Sequence, residues 1–159
     1  MENQLINMPK GKMTKKEFRD LMKAVDKAAS KVPGAIHGDI PGTLEHTFAG
    51  GMYIRKMTLP AGMAFTTKIH KKEHPYFILS GDVTVITELG MTRIKGPYQG
   101  VTKVGTQRAI YAHEDTVWVT LHLNPTDTRD LAVLEDQAIA KSFEEIDALE
   151  KVPEIGGKA

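Results

Sequence analysis

The sequence predicts an all-β sandwich or barrel, with one helix before it and short helices after it. From residue 43 to residue 124 the apolar residues recur with a period of two, which is typical of half-buried strands. Glycine, proline and aspartate turns interrupt this region at short and regular intervals. Helical periodicity is confined to the segments on either side. Together these patterns favour one small β-domain with helical additions at both ends.

The positions of the turn residues predict where the strands begin and end. Turn residues fall at Gly50-Gly51, Pro60-Ala61-Gly62, Gly81-Asp82, Gly90, Gly96-Pro97 and Glu114-Asp115. The strands expected between and beside them are 43–48, 52–59, 64–70, 74–80, 82–88, 91–95, 99–104, 107–112 and 116–123. We therefore expect the β-region to span residues 43–124 of a single domain, 1–159.

Helices are predicted at both ends of the chain. Thr14-Lys15-Lys16-Glu17 is a capping-box pattern, and an apolar stripe at helical spacing follows it, which predicts a helix over 14–32. This stripe must pack against the β-region or against a second copy of the protein. In the C-terminal segment, 125–152, we expect a short helix near 130–138 and a second one that begins after Ser142. The tail, 153–159, is expected to fray.

Composition narrows the class of protein. The chain of 159 residues has 41% hydrophobic residues and no apolar run long enough to span a bilayer. It contains no cysteine, which excludes disulfides and thiolate metal sites and fits a reducing cytoplasm. The formal net charge is +1, and no basic stripe indicates a nucleic-acid partner. The opening MENQLINMPKGK lacks the apolar core of a secretion signal, so we expect a cytoplasmic protein without membrane contact.

The segment from Gly62 to Gly81 carries the strongest functional signal. Lys68 and His70 are two residues apart, so on one strand they would share a face. After the turn at Lys71–Glu73, His74 opens a second strand that can return beside the first. Two imidazoles and an ammonium would then converge on one small volume. The pattern predicts a polar pocket for a small molecule.

These spacings resemble a known motif. Small β-barrel cupins carry a first motif G-x5-H-x-H-x3,4-E-x6-G, and Gly62, Lys68, His70, His74 and Gly81 stand at the same intervals. The family's second motif is roughly P-x-G-x2-H-x3-N. Here its positions hold Lys103, Gly105, Arg108 and Ala112. The chain is therefore similar to a cupin in its frame and departs from one in half of the metal-ligand identities, since Lys68, His74 and Arg108 replace family ligands.

The resemblance covers roughly residues 43–124 and implies a cupin-type jelly-roll barrel. The sequence motif K-I-H-K-K-E-H, together with G-T-x-R-x-x-Y-A-H-E-D and T-x-H, most resembles short cupin-like proteins of tailed-phage genomes. If the chain is phage-encoded, the cytoplasm in question is that of the host. Cupins commonly pair, so the resemblance also implies a homodimer.

A metal centre is one interpretation of the histidines. His122 shares strand parity with Trp118 and Thr120, so it can face the same interior as His70 and His74. Three imidazoles on adjacent strands could hold zinc, iron, nickel or manganese with open positions for a substrate. Lys68 and Arg108 count against this hypothesis, because their positive charge would repel a dication.

An anion pocket is the competing interpretation. Lys68 and Arg108 beside two histidines would form a receptor for a carboxylate, a phosphate or the diphosphate of a nucleotide sugar. Trp118 could pack in the core or stack on a base or sugar ring. Because the spacing of the glutamate in the family motif varies by one residue, either Glu73 or His74 could face the pocket. An inward Glu73 would favour the metal.

The resemblance also implies candidate catalytic residues. Among cupin-like enzymes, metal-free sugar-nucleotide epimerases use a histidine base with tyrosine and lysine nearby. Here His70 or His74 would be the base, Tyr76 or Tyr111 the acid, and Arg108 would stabilise an enolate.

Three functions remain open from the sequence. The first is a cupin that binds an anionic metabolite, a nucleotide or sugar derivative, with or without acid–base isomerisation or cleavage. The second is a metal-dependent cupin dioxygenase or isomerase that uses three histidines. The third is a non-catalytic phage accessory or interaction protein.

Overall fold

A computed structural model describes residues 11–31, 33 and 43–151 of the chain. Its helices are α1 (Lys15–Ala29), α2 (Leu131–Ala138) and α3 (Phe143–Glu150). Its strands are β1 (Leu44–Ala49), β2 (Met52–Leu59), β3 (Ala64–Thr66), β4 (Ile69–His70), β5 (His74–Ser80), β6 (Asp82–Thr87), β7 (Gly90–Lys95), β8 (Tyr98–Thr102), β9 (Ala109–Ala112), β10 (Thr116–Leu123) and β11 (Ile139–Ala140).

The strands form two principal antiparallel sheets. One has the order β1-β2-β10-β5-β8, and the other has the order β3-β9-β6-β7. The chain crosses repeatedly from one sheet to the other, so that most neighbours in a sheet, apart from the hairpins β1-β2 and β6-β7, are distant in sequence, as in a jelly roll. The predicted all-β jelly-roll fold is confirmed. Within the described residues no strand ladder joins the two large sheets, so they face each other as a sandwich and do not close into a hydrogen-bonded barrel.

The predicted strand 64–70 is interrupted in the structure. Strand β3 ends at Thr66, and the short β4 pairs instead with β11, where His70 lies opposite Ile139. Thr67 marks the break, because its N–H donates to the carbonyl of Arg108 at 2.8 Å while its hydroxyl accepts the Arg108 N–H at 2.9 Å. The two-residue period therefore does not run through Lys68.

Helix α1 has the capping box that its sequence predicts. The Thr14 hydroxyl accepts the Glu17 N–H at 3.2 Å, and the Glu17 carboxylate accepts the Thr14 N–H at 2.8 Å. Phe18 and Met22 are buried in a cluster that includes Ile86 of the four-stranded sheet. The apolar stripe thus packs on the sheet wall. The helix ends at Ala29, three residues earlier than predicted, in a turn capped by Ser30 N–H.

The two C-terminal helices also follow the prediction. Helix α2 covers 131–138, and Ser142 is the N-cap of α3. Helix α3 joins α1 through a bidentate ion pair, with Arg19 nitrogens 2.7 and 2.8 Å from the Asp147 oxygens. The predicted frayed tail lies outside the described residues.

A second apolar cluster fills the space between the two large sheets. Its buried members are Leu59, Tyr76, Ile78, Val83, Val85, Ile110, Ala112 and Trp118. They alternate along their strands with residues on the outer faces, which is the pattern expected of a sandwich. Beyond this cluster, toward the helices, the interior becomes polar and opens into a cavity. No helix in the described ranges has both the length and the apolar character needed to cross a membrane.

Candidate functional site

The cavity extends from the inner faces of the sheets to the three helices. It measures about 1570 Å³. Its polar wall contains His46, Arg55, His70, His74, Arg108, Thr120 and His122, and its apolar wall contains Met57, Leu59, Met63, Phe65, Ile110 and Trp118. Histidine and arginine from six different segments of the chain thus converge on one space. A mainly apolar cavity with a few converging polar groups is the usual form of a small-molecule site.

Three histidines form a contiguous cluster in this wall. The ring centroids of His70 and His74 are 4.6 Å apart, and those of His74 and His122 are 4.2 Å apart. His70 comes from β4, His74 from the first position of β5 and His122 from β10. His74 is buried, with 4% of its surface exposed. The short strand β4 holds His70 opposite Ile139 of β11.

Burial keeps these imidazoles neutral at physiological pH. It lowers the pKa of His70 to about 3, with further contributions from His74 and Arg108. It lowers the pKa of His122 to about 4, and the neighbouring His74 adds to the effect. The pKa of His74 is lowered as well, again mainly by burial. A charged imidazole would lose its hydration in this wall and would repel the nearby guanidinium.

The histidine nitrogens are only partly hydrogen-bonded. His74 Nδ1 lies 3.1 Å from the Lys72 carbonyl oxygen, and His122 Nε2 lies 3.0 Å from Thr120 Oγ1. Among the described protein atoms, the buried His70 Nδ1 and His74 Nε2 have no hydrogen-bond partner. Buried polar atoms are normally satisfied, so these two nitrogens are available to a ligand.

Arg108 is the buried cation of the site. Only 6% of its surface is exposed, although it lines the cavity. Its Nη2 donates to Thr102 Oγ1 at 3.0 Å, and its guanidinium carbon lies 5.0 Å from the Tyr76 ring centroid and 5.9 Å from that of Trp118. Burial lowers its pKa. These contacts fix the plane of the guanidinium without neutralising its charge.

No carboxylate in the described part of the chain lies within ion-pair distance of Arg108. The carboxylates on the cavity wall all come from the three helices: Asp26 from α1, Glu135 and Asp136 from α2, and Glu144 from α3. Arg55 adds a second guanidinium to the wall, and its charge helps to lower the pKa of His70 and His122. The inner wall of the cavity is therefore electropositive.

The ambiguity between Glu73 and His74 is resolved by their contacts. The Glu73 carboxylate lies 2.6 Å from Lys103 Nζ in an exposed ion pair. His74 faces inward and is buried. The turn at 71–73 thus places an imidazole in the pocket and the glutamate at the surface.

Three other predicted site residues do not face the pocket as expected. Lys68 is half-exposed at the cavity rim, where it pairs with Glu135 of α2. Tyr76 is buried beneath Arg108 and stacks on Trp118, with centroids 4.9 Å apart and ring planes 17° apart. Tyr111 stands edge-on to the ring of His113 on the outer face of β9, because the alternating position Ile110 faces the interior. Of the sequence-selected aromatic residues, Trp118 alone lines the cavity.

Two residues of the wall were missed by the sequence reasoning. Tyr53 and Arg55 alternate with Met57 along β2 and face the cavity. The Tyr53 hydroxyl lies 2.8 Å from His46 Nδ1, and its ring stacks on His122 with centroids 5.8 Å apart. Strand parity was the signal that could have found them, since Met57 and Leu59 already marked the inner face of β2.

The histidines meet only part of the requirement for a metal centre. Neutral imidazole is a good ligand, and His70 and His74 each have an available nitrogen. In the described residues, however, no three histidine or carboxylate side chains are grouped so that they could hold a metal ion. His122 Nε2 is bonded to Thr120, and Arg108 adds positive charge. As the side chains stand, the set does not fit a three-ligand centre.

Comparison with known proteins finds similar solved structures and no match of sequence. No family model and no curated protein sequence matches the chain. Among solved structures, it is similar to ectoine synthase from P. lautus (14% identity, TM-score 0.49, covering 64% of this chain and 78% of that one). It is also similar to a cupin-2 domain containing protein from Shewanella frigidimarina (7%, 0.44, 63% and 91%) and to the Schizosaccharomyces pombe Cnp3 cupin domain (16%, 0.44, 57% and 70%). At these identities and TM-scores no activity is transferred to this chain.

Proposed function

We propose that this protein binds a small organic anion in the cavity between its sheets, with Arg108 as the principal cation. The observation that carries the proposal is a guanidinium that is 6% exposed, lines a cavity of about 1570 Å³ and has no carboxylate partner among the described residues. The candidate ligands are carboxylates and phosphates, including nucleotide and sugar derivatives.

The physical support is the cost of an uncompensated charge. Taking a guanidinium out of water costs several kcal/mol unless an opposite charge and hydrogen bonds replace its hydration. Thr102 supplies one hydrogen bond, and the rings of Tyr76 and Trp118 supply cation–π contacts. A bound anion would supply the missing charge. The site is thus arranged so that ligand binding satisfies a group that the fold leaves unpaired.

The histidines would add hydrogen bonds to the ligand. His70 Nδ1 and His74 Nε2 are the buried nitrogens that lack a partner among the described protein atoms. A pKa of about 3 makes unliganded His70 a weak base. A bound anion would raise the pKa values of the histidines toward 7. Isomerisation or cleavage would require His70 or His74 to have a pKa in that range, so that it can accept and return a proton. Tyr76 is packed under Arg108, so it is not placed to act as the tyrosine acid of such a reaction.

The test is thermal unfolding in the presence of benzoate, inorganic phosphate, glucose 1-phosphate and uridine diphosphate, each beside a neutral analogue. We expect at least one anion to raise the melting temperature by about 5 °C or more at a hundred times its Kd. Arg108→Met should abolish this shift. Arg129→Met is the matched control, because Arg129 is exposed and lies outside the cavity wall.

Two results would contradict the proposal. One is that no anion changes the melting temperature of the wild type. The other is that Arg108→Met keeps the full shift. Either result would favour the third function predicted from the sequence, a non-catalytic accessory or interaction protein.

A second candidate is a metal-dependent cupin enzyme, favoured by the two unpartnered imidazole nitrogens. It requires His122 to leave Thr120 and turn toward His70 and His74. Elemental analysis of untagged protein, beside His70→Ala and His74→Ala variants, tests it. Near-stoichiometric zinc, iron, nickel or manganese that is lost in both variants would establish the metal. Protein without metal after growth with each of these ions would exclude it.

Three expectations from the sequence remain predictions, namely the homodimer, the cytoplasmic location and the likeness to phage cupin-like proteins. Light scattering coupled to size-exclusion chromatography tests the first. A mass of twice 17.6 kDa is the expected result.

A further inference from the structure

We infer that the anion is a single carboxylate carried on a flat apolar body, rather than a phosphate or a diphosphate. This inference rests on the proposed function and narrows it to one chemical class. Three features of the cavity lead to it: the number of buried charges, the hydrogen-bonding edge of Arg108 and the apolar wall beside that edge.

The buried positive charge of the site would be balanced by a ligand with a single negative charge. The three histidines of the wall are neutral, because burial lowers the pKa of each. Arg55 is only half-buried and has an interaction of its own, whereas Arg108 is buried, so Arg108 is the guanidinium whose charge most needs a ligand. A carboxylate brings one negative charge, whereas a phosphate monoester brings up to about two near neutral pH. In a medium of low dielectric the excess charge of a phosphate would be costly.

The orientation of Arg108 suits a carboxylate as well. A guanidinium has five N–H donors in one plane. Thr102 accepts one bond from Nη2, and the Tyr76 and Trp118 rings lie beside the guanidinium. The remaining N–H groups suffice for two parallel bonds to a carboxylate, the arrangement that a planar fork favours.

The wall beside Arg108 is apolar. Met57, Met63, Phe65, Ile110 and Trp118 line the same cavity. Methionine and aromatic side chains adapt to flat hydrophobic ligands and stack on them. The cavity therefore combines one charged contact with a broad hydrophobic surface.

The experiment compares ligands that share one body and differ in charge. Isothermal titration of the full chain at about pH 8 would use 2-naphthoate, 2-naphthyl phosphate and the neutral 2-naphthamide, with acetate as a carboxylate without a body. We expect naphthoate to bind at least about tenfold more tightly than the phosphate and at least about thirtyfold more tightly than the amide. Acetate should bind at least about a hundredfold more weakly, since it lacks the hydrophobic contact.

Variants locate the binding site. Arg108→Met should weaken naphthoate binding by about thirtyfold or more, while Arg129→Met should leave it within about twofold. The comparison of ligands on wild-type protein stands even if Arg108→Met does not fold.

The outcomes separate this inference from the proposed function. If the naphthyl phosphate, glucose 1-phosphate or uridine diphosphate binds more tightly than naphthoate and depends on Arg108, the anion pocket stands and the carboxylate inference is overturned. If naphthamide binds as tightly as naphthoate, the charge plays no part and both are overturned. If none of these ligands binds, the inference and the proposed function fall together.

Discussion

Arg108 shows at the scale of one residue how a binding role differs from a structural one. Its charge is buried with no carboxylate partner among the described residues, so unliganded protein bears its desolvation cost. We predict that Arg108→Met leaves the free energy of unfolding unchanged or raises it by about 1 kcal/mol, because the methionine keeps much of the stem and removes the charge. Urea denaturation of the unliganded protein measures this change.

Arg93→Met is the contrasting variant. Arg93 holds the buried Asp82 carboxylate with bonds of 2.8 and 2.9 Å, and Lys95 lies 3.4 Å from the same carboxylate. Loss of Arg93 leaves that carboxylate poorly compensated, so the free energy of unfolding should fall. If Arg108→Met proves more destabilising than Arg93→Met, Arg108 is a structural residue and the binding role loses its main argument.

Strand parity explains which site residues the sequence could predict. Trp118 and His122 were placed inside by a two-residue period, and β10 carries them there. The sequence left Glu73 and His74 as alternatives for the pocket, and the first position of β5 turns His74 inward. Lys68 was placed beside His70 by the same rule, but the strand ends at Thr66 and the period stops. A break of this kind depends on contacts between distant segments, here between Thr67 and Arg108. The periodicity of one segment holds no information about such contacts.

At the scale of elements, the helices were the most predictable part of the fold. Capping boxes and apolar stripes are local signals, and both capped helices begin where these signals place them. The strands were found by turns and alternation, and their ends differ by at most two residues, except that the predicted strand 64–70 is divided into β3 and β4. The side of the molecule on which α1 packs was left open, because an amphipathic stripe does not specify its partner.

Strand β8 supports the site through a residue without a side chain. Gly100 lies opposite Tyr76 in the sheet, and a Cβ added to it would lie 2.6 Å from the Tyr76 ring and hydroxyl. The ring occupies this space, stacks on Trp118 and supports Arg108 from below. Gly100 therefore leaves the space in which the Tyr76 ring lies, and the position of that ring fixes the position of the Arg108 guanidinium in the cavity.

We predict that Gly100→Ala lowers the free energy of unfolding by about 1–3 kcal/mol, because a rigid ring must move in a packed core. Affinity for naphthoate should fall by about tenfold or more, since Arg108 would be displaced. Urea denaturation and titration measure the two effects. Gly11→Ala is the control, because a Cβ there meets no atom within 4 Å. Wild-type affinity in Gly100→Ala would mean that Tyr76 does not position Arg108.

At the scale of the whole molecule, the jelly roll gathers histidines from distant parts of the chain into one buried wall. His70, His74 and His122 are joined there by ring contacts of 4.2 and 4.6 Å. The cost of protonating any one of them is mainly its desolvation, and repulsion by a nearby histidine or by the guanidinium of Arg108 or Arg55 adds to it. The fold therefore resists proton uptake at this site, while the unfolded chain takes up protons freely near pH 6.5.

This difference predicts a loss of stability in mild acid. Below about pH 6.5 the unfolded chain binds protons that folded His70 and His122 do not accept until about pH 3 and 4. The free energy of unfolding should thus be highest above about pH 6.5 and should fall with decreasing pH, by up to about 1.4 kcal/mol per pH unit for each histidine. Urea denaturation at several values between about pH 7.5 and pH 5 measures the slope before most carboxylates titrate.

The histidines can be separated from other titrating groups by substitution and by ligand. The double variant His70→Gln and His122→Gln should lose most of the slope, because glutamine carries no titratable proton in this range. Saturating naphthoate should also reduce it, since a bound anion raises the histidine pKa values in the folded state. Affinity for the anion would then increase as pH falls. A wild-type protein that is equally stable at about pH 7.5 and pH 5 would show that these imidazoles are hydrated and not held neutral by burial.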